Sequence, residues 1–221
     1  MIPEFHFLPE IYNAFSNWRN DMSKEIFEKA ISLIDAANSE DPNKVTDKDG
    51  KEWPKELIYS HRMSDMLDRY KPDADEVQQI SIRGQHVKRW TSQRKSYPMD
   101  RIGYLKWRTD LYKFHANTTA DFMEQSGYNE EDLERVKKMV GKKGIKSNPD
   151  TQLLEDVADL VFIEHYLQEF VDKHPEYTED KWIDIVQKTW KKMSETGQKF
   201  ALSGKIILPE TLVPLIQKAL A

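Results

Sequence analysis

Three histidines and one aspartate are the residues of this sequence best suited to metal chemistry. His61, His86 and His115 fall in three separate predicted helices, and Asp156 falls in the most apolar helical stretch of the chain. An ionised carboxylate in such surroundings is costly unless it is paired or bound to a metal ion. Because imidazole and carboxylate groups from different helices can converge on one divalent cation, these four residues are candidate metal ligands. The alternative is that the histidines donate hydrogen bonds to a bound anion.

A second group of residues is basic and suits phosphate. In the helix predicted to begin near Asp100, Arg101, Arg108 and His115 are connected by steps of three or four residues and share one face. Guanidinium groups bind phosphate in a bidentate manner, so several of them beside a metal site would form an anion pocket. Surface ion pairs with the many acidic residues are the alternative role. The candidate substrate-binding residues are Arg89, Arg94, Arg101, Arg108 and Lys146.

Helices must position these residues, and helical periodicity occurs along most of the chain. Apolar residues recur at intervals of three and four, no segment alternates with a period of two, and there is no internal repeat. Prolines, glycines and polar loops separate the periodic segments. The pattern predicts an all-α fold in a single compact domain, with helices over about residues 22–38, 57–70, 74–91, 100–126, 129–140, 150–173, 178–203 and 209–220.

The first 21 residues differ from those that follow, since they contain several aromatic residues and two prolines. Met22 begins a regular amphipathic segment, so the sequence divides into an N-terminal arm or extension over 1–21 and a helical domain over 22–221. Two roles remain open for the first segment. It is an arm that docks through its apolar residues, which are costly to leave in water, or an upstream extension of little function.

The composition restricts the classes of site and partner. The chain has no cysteine, so disulfides and thiolate metal sites are excluded and any metal must use His, Asp or Glu. Its net charge of -5 gives no overall attraction to nucleic acid or anionic lipid, so nucleic acid is a disfavoured partner and no membrane partner is expected. No apolar run approaches the ~18–20 residues that span a bilayer. The absence of a secretory signal at the N-terminus predicts a cytoplasmic protein.

Several segments together resemble the superfamily of HD-domain (His-Asp) metal phosphohydrolases. The segment SHRMSDML around His61 is similar to the helix with the family's first histidine, and ISIRGQHVKRW is similar to the helix that ends in the His-Asp pair. The segments HANTTADFMEQSGY, from His115, and LLEDVADLVFIEHY, with Asp156, resemble the next two helices, of which the second bears the final aspartate. The resemblance covers about residues 55–170 in the family's order. It implies an HD-like helical domain with a divalent metal and phosphohydrolase activity.

More closely, the chain resembles an uncharacterised family catalogued as domain of unknown function 4202. The resemblance spans about residues 24–203, and no activity comes with it. Its carriers are SHRMSDML, QHVKRW, YPMDRIGYLKWRTDLYKFH, LEDVADLVFIEHY and KTWKKMS.

The chain departs from the superfamily pattern at the His-Asp pair, where it has Gln85, His86 and Val87. If His86 takes the place of the histidine, Val87 replaces the aspartate; if it takes the place of the aspartate, Gln85 replaces the histidine. His115 is then the residue that fills the vacant position. A set of three histidines with Asp156 suits Zn²⁺, Mn²⁺ or Fe²⁺ better than Mg²⁺.

Two functions follow as hypotheses. The first is a metal-dependent phosphohydrolase that acts on a small phosphorylated molecule such as a nucleotide. There Asp156 would bind the metal or orient the attacking water, and Arg101 and Arg108 would neutralise charge that develops on the phosphate. The second is a non-catalytic module on a degraded HD scaffold that binds a phosphorylated ligand or RNA through the same Arg and His residues.

Overall fold

Helices form nearly all the regular structure in this chain. The computed structural model describes the backbone of residues 9–220 and the side chains of residues 21–220. In order, the helices are α1 (Pro9–Ser39), α2 (Lys55–Tyr70), α3 (Glu76–Gly84), α4 (Arg101–Ser126), α5 (Glu130–Val140), α6 (Pro149–Val161), α7 (Leu167–Asp172), α8 (Glu179–Lys192), α9 (Glu195–Ala201) and α10 (Val213–Leu220). The expected all-α fold in a compact domain is confirmed.

Polar side chains at the helix starts fix where the helices begin. The Asp75 carboxylate accepts a hydrogen bond from the Gln78 backbone N–H, and the Gln78 side chain accepts one in return, which forms a capping box at the start of α3. Asp100 accepts a bond from the Gly103 N–H at 2.6 Å to begin α4, and Asn148 caps α6 just before Pro149. These caps set the register of the helices that carry the candidate residues.

A small hairpin occupies the polar loop between α1 and α2. Strands β1 (Lys44–Thr46) and β2 (Glu52–Pro54) pair antiparallel, with Val45 opposite Trp53. Gly50 adopts a left-handed φ of 81° in the connecting turn. The strands are three residues long, which is too short for the alternating pattern that would have predicted them.

Helix α6 lies at the centre of the core, as its almost continuous apolar sequence indicates. Leu154, Val157 and Leu160 are fully buried in one cluster that also includes residues of α1, α2, α3, α4 and α5. After Val161 the chain makes a π-helical turn over Phe162–Tyr166 before α7. Such turns occur often at functional sites, because the extra residue redirects the side chains that follow it.

Three predicted boundaries differ from the structure. The helix expected over 74–91 ends at Gly84, and a loop with short 3₁₀ turns follows. The helix expected over 178–203 is divided into α8 and α9, because Ser194 adopts an extended backbone and caps α9. The helix expected to begin at about residue 22 begins at Pro9. The predicted role of the N-terminal segment as a docking arm depends on the side chains of residues 1–20, which lie outside the part of the chain whose side chains are described.

Among the described residues, the helices are too short or too polar for any of them to cross a lipid bilayer.

Candidate functional site

A cavity of about 290 Å³ opens between α2, the loop after α3, and the segment from α6 through the π-helical turn. Its lining combines charged, imidazole and aromatic side chains. Helix α2 supplies one wall, and the π-helical turn places two aromatic rings on the opposite wall. The lining residues are Lys55, Glu56, Tyr59, His86, Arg89, Ala158, Phe162 and Tyr166. We refer to this cavity as the central pocket.

His86 is held in the central pocket by an aromatic ring and a carboxylate. Its imidazole stacks on Tyr59, with ring centroids 4.2 Å apart and planes inclined by 15°. Its Nδ1 lies 3.4 Å from Glu56 Oε2. Burial and the nearby positive charge of Arg89 hold the pKa of His86 well below its usual value, so the ring is neutral at pH 7.

His115 lies next to His86 and is almost completely buried. The two ring centroids are 5.7 Å apart, and His115 is only 1% exposed. Burial, together with the proximity of His86, lowers the pKa of His115 to about 3. Its Nδ1 lies 2.9 Å from the Val87 carbonyl oxygen, which can only accept, so Nδ1 carries the proton. Nε2 therefore has a free lone pair, and this buried atom has no hydrogen-bond partner among the described residues.

A close contact between α3 and α4 sets the distance between these two histidines. Gly84 ends α3 two residues before His86. The Thr119 hydroxyl donates a hydrogen bond to the His115 carbonyl oxygen at 2.8 Å, and its oxygen lies 3.3 Å from the Gly84 carbonyl oxygen. A Cβ atom at Gly84 would lie 2.5 Å from Thr119 Oγ1. Only glycine permits this approach, so Gly84 positions His86 beside His115.

Positive charges surround the central pocket without carboxylate partners. Within the part of the chain whose side chains are described, Lys55, Arg89 and Arg108 form no ion pair within 4.0 Å. The Arg89 guanidinium lies 5.1 Å from the centroid of the Trp107 ring, and Arg108 donates hydrogen bonds to the hydroxyls of Tyr112 and Tyr104. In a chain with a net charge of -5, these contacts leave the cations available to an anion.

Among the residues whose side chains are described, Glu56 is the one acidic residue that lines the central pocket. Burial raises the pKa of its carboxyl, although the positive charge of Arg89 opposes this effect. The Glu56 backbone N–H donates a hydrogen bond to Asp41 at the start of α2. The Glu56 carboxyl and the His86 imidazole therefore form a pair that can exchange a proton with a bound molecule.

A buried network of charges lies behind the pocket on α6. Lys142, in the left-handed conformation with φ of 55°, forms an ion pair with Glu155, and both side chains are at most 7% exposed. Lys192 contacts Glu155 at 3.3 Å and Asp159 at 2.6 Å. Burial raises the pKa of Asp159 to about 6. Because Glu155 and Asp159 are four residues apart, they share one face of the helix with Ala158 of the pocket wall.

His61, the first candidate ligand, faces away from the central pocket. Its Nε2 lies 3.8 Å from Asp35 Oδ2 on α1, and its ring contacts Trp53 edge-on at 5.6 Å. Burial and the charge of Arg83 lower the pKa of His61. Within the candidate ligand set, the structure brings His86 and His115 together and leaves His61 on the side of α2 that faces α1.

Asp156 serves a structural purpose in this fold. Its carboxylate accepts hydrogen bonds from the Tyr70 hydroxyl at 2.9 Å, the Gln152 amide at 2.9 Å, and the backbone N–H and hydroxyl of Ser194 at 2.7 and 2.5 Å. A Cβ at Gly197 would lie 2.9 Å from its Cγ. The carboxylate thus joins α6 to α2 and to the start of α9, and these four bonds offset the cost of its burial.

The fit of a shared metal ion can be judged from these placements. Among the described residues, no three side chains of His, Asp or Glu come together in an arrangement that could hold a metal ion. Both oxygens of Asp156 are already occupied by donors, and His61 lies against α1. The four residues predicted as ligands of Zn²⁺, Mn²⁺ or Fe²⁺ therefore do not fit one metal ion in this structure.

The predicted phosphate-binding residues divide in a similar way. Arg89 lines the central pocket and Arg108 lies near it. Arg101 is exposed at the start of α4, about 21 Å along the helix axis from His115, which is too far for its side chain to reach. Arg94 donates hydrogen bonds to the carbonyl oxygens of Tyr97 and Asp100, and Lys146 donates to that of Lys191, so both stabilise loops.

Several pocket residues were not predicted from the sequence. The segment LLEDVADLV contains three acidic residues, and apolar periodicity alone does not show which of them faces a site. Glu155 and Asp159 are four residues apart and therefore share one face of the helix, whereas Asp156 points to a different face. This spacing is the signal in the sequence that could have identified the pair. Glu56 and Tyr59 are three residues apart and share one face of α2, and His61 lies on the opposite face of that helix.

The model of one protein family, described as "Domain of unknown function (DUF4202)", matches residues 28–216, which is most of the chain. No curated protein and no solved structure matches the chain.

Proposed function

The chain belongs to the DUF4202 family, and we propose that its central pocket binds a small phosphorylated molecule such as a nucleotide. The observation that carries the proposal is a cavity lined by Lys55, Arg89 and His86, with the Nε2 of His115, which has no partner among the described residues, buried next to the His86 ring. Lys55 and Arg89 line the cavity, and Arg108 lies close enough to influence the pKa of His86. Buried polar atoms normally have partners, so His115 Nε2 indicates that a ligand or water completes this site.

The charges in the pocket select the class of ligand. The Arg89 guanidinium can donate two parallel hydrogen bonds to phosphate oxygens, and Lys55 adds a second positive charge. The neutral His86 ring, which lines the pocket, offers one acceptor nitrogen, and this nitrogen suits a hydroxyl or amine of the ligand rather than an ionised phosphate oxygen. The ligand therefore combines a phosphate group with a hydrogen-bond donor, as a phosphorylated sugar or nucleoside does.

The size and lining of the pocket agree with this class. A cavity of about 290 Å³ lies near the lower end of the range of roughly 300–1,000 Å³ for small-molecule sites. The rings of Tyr59, Phe162 and Tyr166 offer an apolar surface for a sugar or a base. The alternative ligand, RNA, would need a longer basic track, and the net charge of -5 opposes a large nucleic-acid footprint.

The relation to the HD superfamily belongs to the same proposal. We infer that the helical frame is HD-like and that cations take over the binding of phosphate from a metal. In one of the two alignments with the superfamily, Val87 takes the place of the aspartate, and its carbonyl oxygen contacts His115. The Val87 carbonyl oxygen accepts a hydrogen bond from Nδ1 and fixes the tautomer, whereas burial and the neighbouring His86 keep the ring neutral.

Hydrolysis of the bound phosphoester is a second candidate function, favoured by the contact between His86 and Glu56. In this reaction a water oxygen forms a bond to phosphorus while the bond between phosphorus and the ester oxygen breaks. The Glu56–His86 pair would take the proton that the water loses, and the released alkoxide would take a proton from solvent. The raised pKa of Glu56 makes this carboxyl a better base than an ordinary glutamate.

Calorimetric titration of the full chain with inorganic phosphate, ribose 5-phosphate and a set of nucleoside monophosphates tests the proposal. We expect saturable binding of at least one ester, weakened about tenfold or more by Arg89→Ala, since a charged hydrogen bond is lost. Arg101→Ala is the matched control, because this arginine is exposed outside the pocket. Equal affinities of the Arg89→Ala and parent proteins would contradict the proposal.

Release of phosphate from the bound ester tests the second candidate. The assay is run with and without added Mn²⁺, Fe²⁺, Co²⁺ or Zn²⁺. Turnover that disappears in Glu56→Gln supports hydrolysis by the Glu56–His86 pair, whereas binding without turnover under all conditions leaves a binding module.

A further inference from the structure

Three large apolar side chains project into solvent at the start of α4. Met99, Ile102 and Leu105 are 76%, 78% and 52% exposed. Ile102 and Leu105 are three residues apart in α4 and are therefore neighbours on its surface, and Met99 immediately precedes the Asp100 cap of this helix. We call this surface the apolar tip. Single exposed apolar residues are ordinary, but three adjacent ones of this size mark an interaction surface.

Basic side chains surround the apolar tip. Lys95, Arg101 and Lys106 are exposed beside it. Lys106 pairs with Asp110 at 2.8 Å, whereas Lys95 and Arg101 form no ion pair with any side chain that the structure describes. The nearby Asp100 carboxylate is engaged with the Gly103 N–H at the helix cap. Asp100 and Asp110 keep their negative charges, so the three basic side chains exceed the two carboxylates by one positive charge, on a chain whose net charge is -5.

The backbone beneath the apolar tip is firmly held. A Cβ atom at Gly103 would lie 2.0 Å from the Pro98 carbonyl oxygen, so the loop packs directly on the helix. The Trp107 indole donates a hydrogen bond to the Ser92 carbonyl oxygen at 3.2 Å, and Arg94 bonds to the loop as described above. The exposed side chains thus project from a rigid support, which lowers the entropy cost of binding.

We propose that the apolar tip inserts into the interfacial layer of an anionic membrane. Lys95 and Arg101 would contact anionic lipid headgroups while Ile102 and Leu105 enter the acyl boundary. Tyr104, which is 40% exposed, lies where aromatic rings favour the headgroup region.

Two features favour a membrane over other occupants. None of the three apolar residues lines the central pocket or the other large pockets described in this fold, and all three are more than half exposed, whereas a bound peptide needs a groove. A second copy that met the tip face to face would bring two basic surfaces together, and like charges oppose that contact. A bilayer is flat, deformable and, with anionic lipid, complementary in charge.

This inference is independent of the ligand in the central pocket. It also departs from the expectation that there is no membrane partner, which rested on the total charge and on the lack of a spanning segment. Neither feature reports on a local surface of three apolar and three basic residues.

Co-sedimentation of the full chain with vesicles tests the proposal. One set of vesicles is pure phosphatidylcholine and the other contains about 30% phosphatidylserine. We expect binding to the anionic vesicles that falls about tenfold or more in the Ile102→Glu/Leu105→Glu variant. Ile207→Glu is the matched control, because Ile207 is 71% exposed on the loop after α9. It should bind like the parent.

A second variant keeps the test informative if the first one is poorly folded. Lys95→Glu/Arg101→Glu changes only exposed side chains and should also lose binding to anionic vesicles, as should the parent at high salt. The proposal is overturned if the parent binds neither set of vesicles, or if the tip variants bind like the parent. It is also overturned if the tip variants change only the oligomeric state, which would assign this surface to contact with a second copy or another protein.

Discussion

His115 donates its Nδ1 proton to the carbonyl oxygen of Val87, 2.9 Å away. This bond connects the middle of α4 with the loop after α3, and it decides which ring nitrogen of His115 is free. Because the bond fixes the tautomer, Nε2 presents a lone pair beside His86. The same contact explains why Val87 at this position is compatible with an ordered site: its backbone, rather than its side chain, orients the histidine.

The contact between Gly84 and Thr119 gives the first prediction. Gly84→Ala should lower the free energy of unfolding by about 1–3 kcal/mol, because the new methyl group overlaps Thr119 and forces α3 away from α4. Ligand affinity should fall as well, since His86 moves relative to His115. Chemical denaturation and calorimetric titration measure the two effects.

A compensating change provides the control for this prediction. Thr119→Ala removes the two atoms that the new methyl group would meet most closely, Oγ1 and Cγ2, and leaves only Cβ at 3.1 Å. The double variant should recover part of the lost stability and affinity. If Gly84→Ala alone unfolds like the parent, the close approach of α3 and α4 is not required.

The neutral state of His115 gives a prediction on acid stability. Its pKa is lowered from 6.5 to about 3 in the folded protein, so the unfolded chain binds the proton first as the pH falls. The stability that His115 contributes is complete above pH 6.5 and is lost as the pH falls towards 3, with a slope of up to about 1.4 kcal/mol per pH unit. Urea unfolding between pH 7 and pH 4.5 should show this loss, and His115→Gln should reduce the slope. An unchanged slope would show that His115 is protonated in the fold.

The stability that Asp159 contributes should depend on pH in the opposite sense to that of His115. Burial raises its pKa from 3.8 to about 6, so the folded protein holds the proton more tightly than the unfolded chain. Its contribution is complete below pH 3.8 and is lost as the pH rises through 6. Asp159→Asn keeps the shape and cannot ionise, so the stability difference between variant and parent should move in favour of the variant from pH 4 to pH 7. Parallel stability curves for the two proteins would contradict the raised pKa.

Replacement of Asp156 distinguishes a structural role of this carboxylate from a role in ligand or metal binding. Asp156→Ala removes four hydrogen bonds, and we expect it to lower the free energy of unfolding by more than about 2 kcal/mol. At a temperature where the variant remains folded, its affinity for the phosphorylated ligand should equal that of the parent. A selective loss of affinity or of bound metal with unchanged stability would instead assign Asp156 to the site, as the sequence pattern had suggested.

The helical fold could be predicted from the sequence because apolar periodicity, caps and breakers act locally. The site was harder to predict. The structure brings His86 and His115 together. His61 lies on the face of α2 opposite Glu56 and Tyr59, and a rotation of this kind depends on packing against α1. Asp156 was selected for its apolar surroundings, yet its charge is balanced by Tyr70, Gln152 and Ser194, which come from distant parts of the sequence.

The arginines show the same limit. Arg101, Arg108 and His115 do share a face of α4, as their spacing predicts, but the helix is long enough to place Arg101 at its exposed start while His115 is buried. Position along the axis separates them. Periodicity gives the face of a helix, whereas the depth of a residue in the fold depends on what packs against each turn.

Nitrogen NMR of the imidazole rings, during titration of the full chain with the phosphorylated ligand that binds most tightly, tests the central claim most directly. The claim predicts that His115 Nε2 is unprotonated and without a partner in the free protein. Its resonance should then shift saturably as the ligand binds, while the resonances of His61, outside the pocket, stay in place. Ligand binding that leaves the resonances of both His115 and His86 unchanged would contradict the assignment of the central pocket as the phosphate-ligand site.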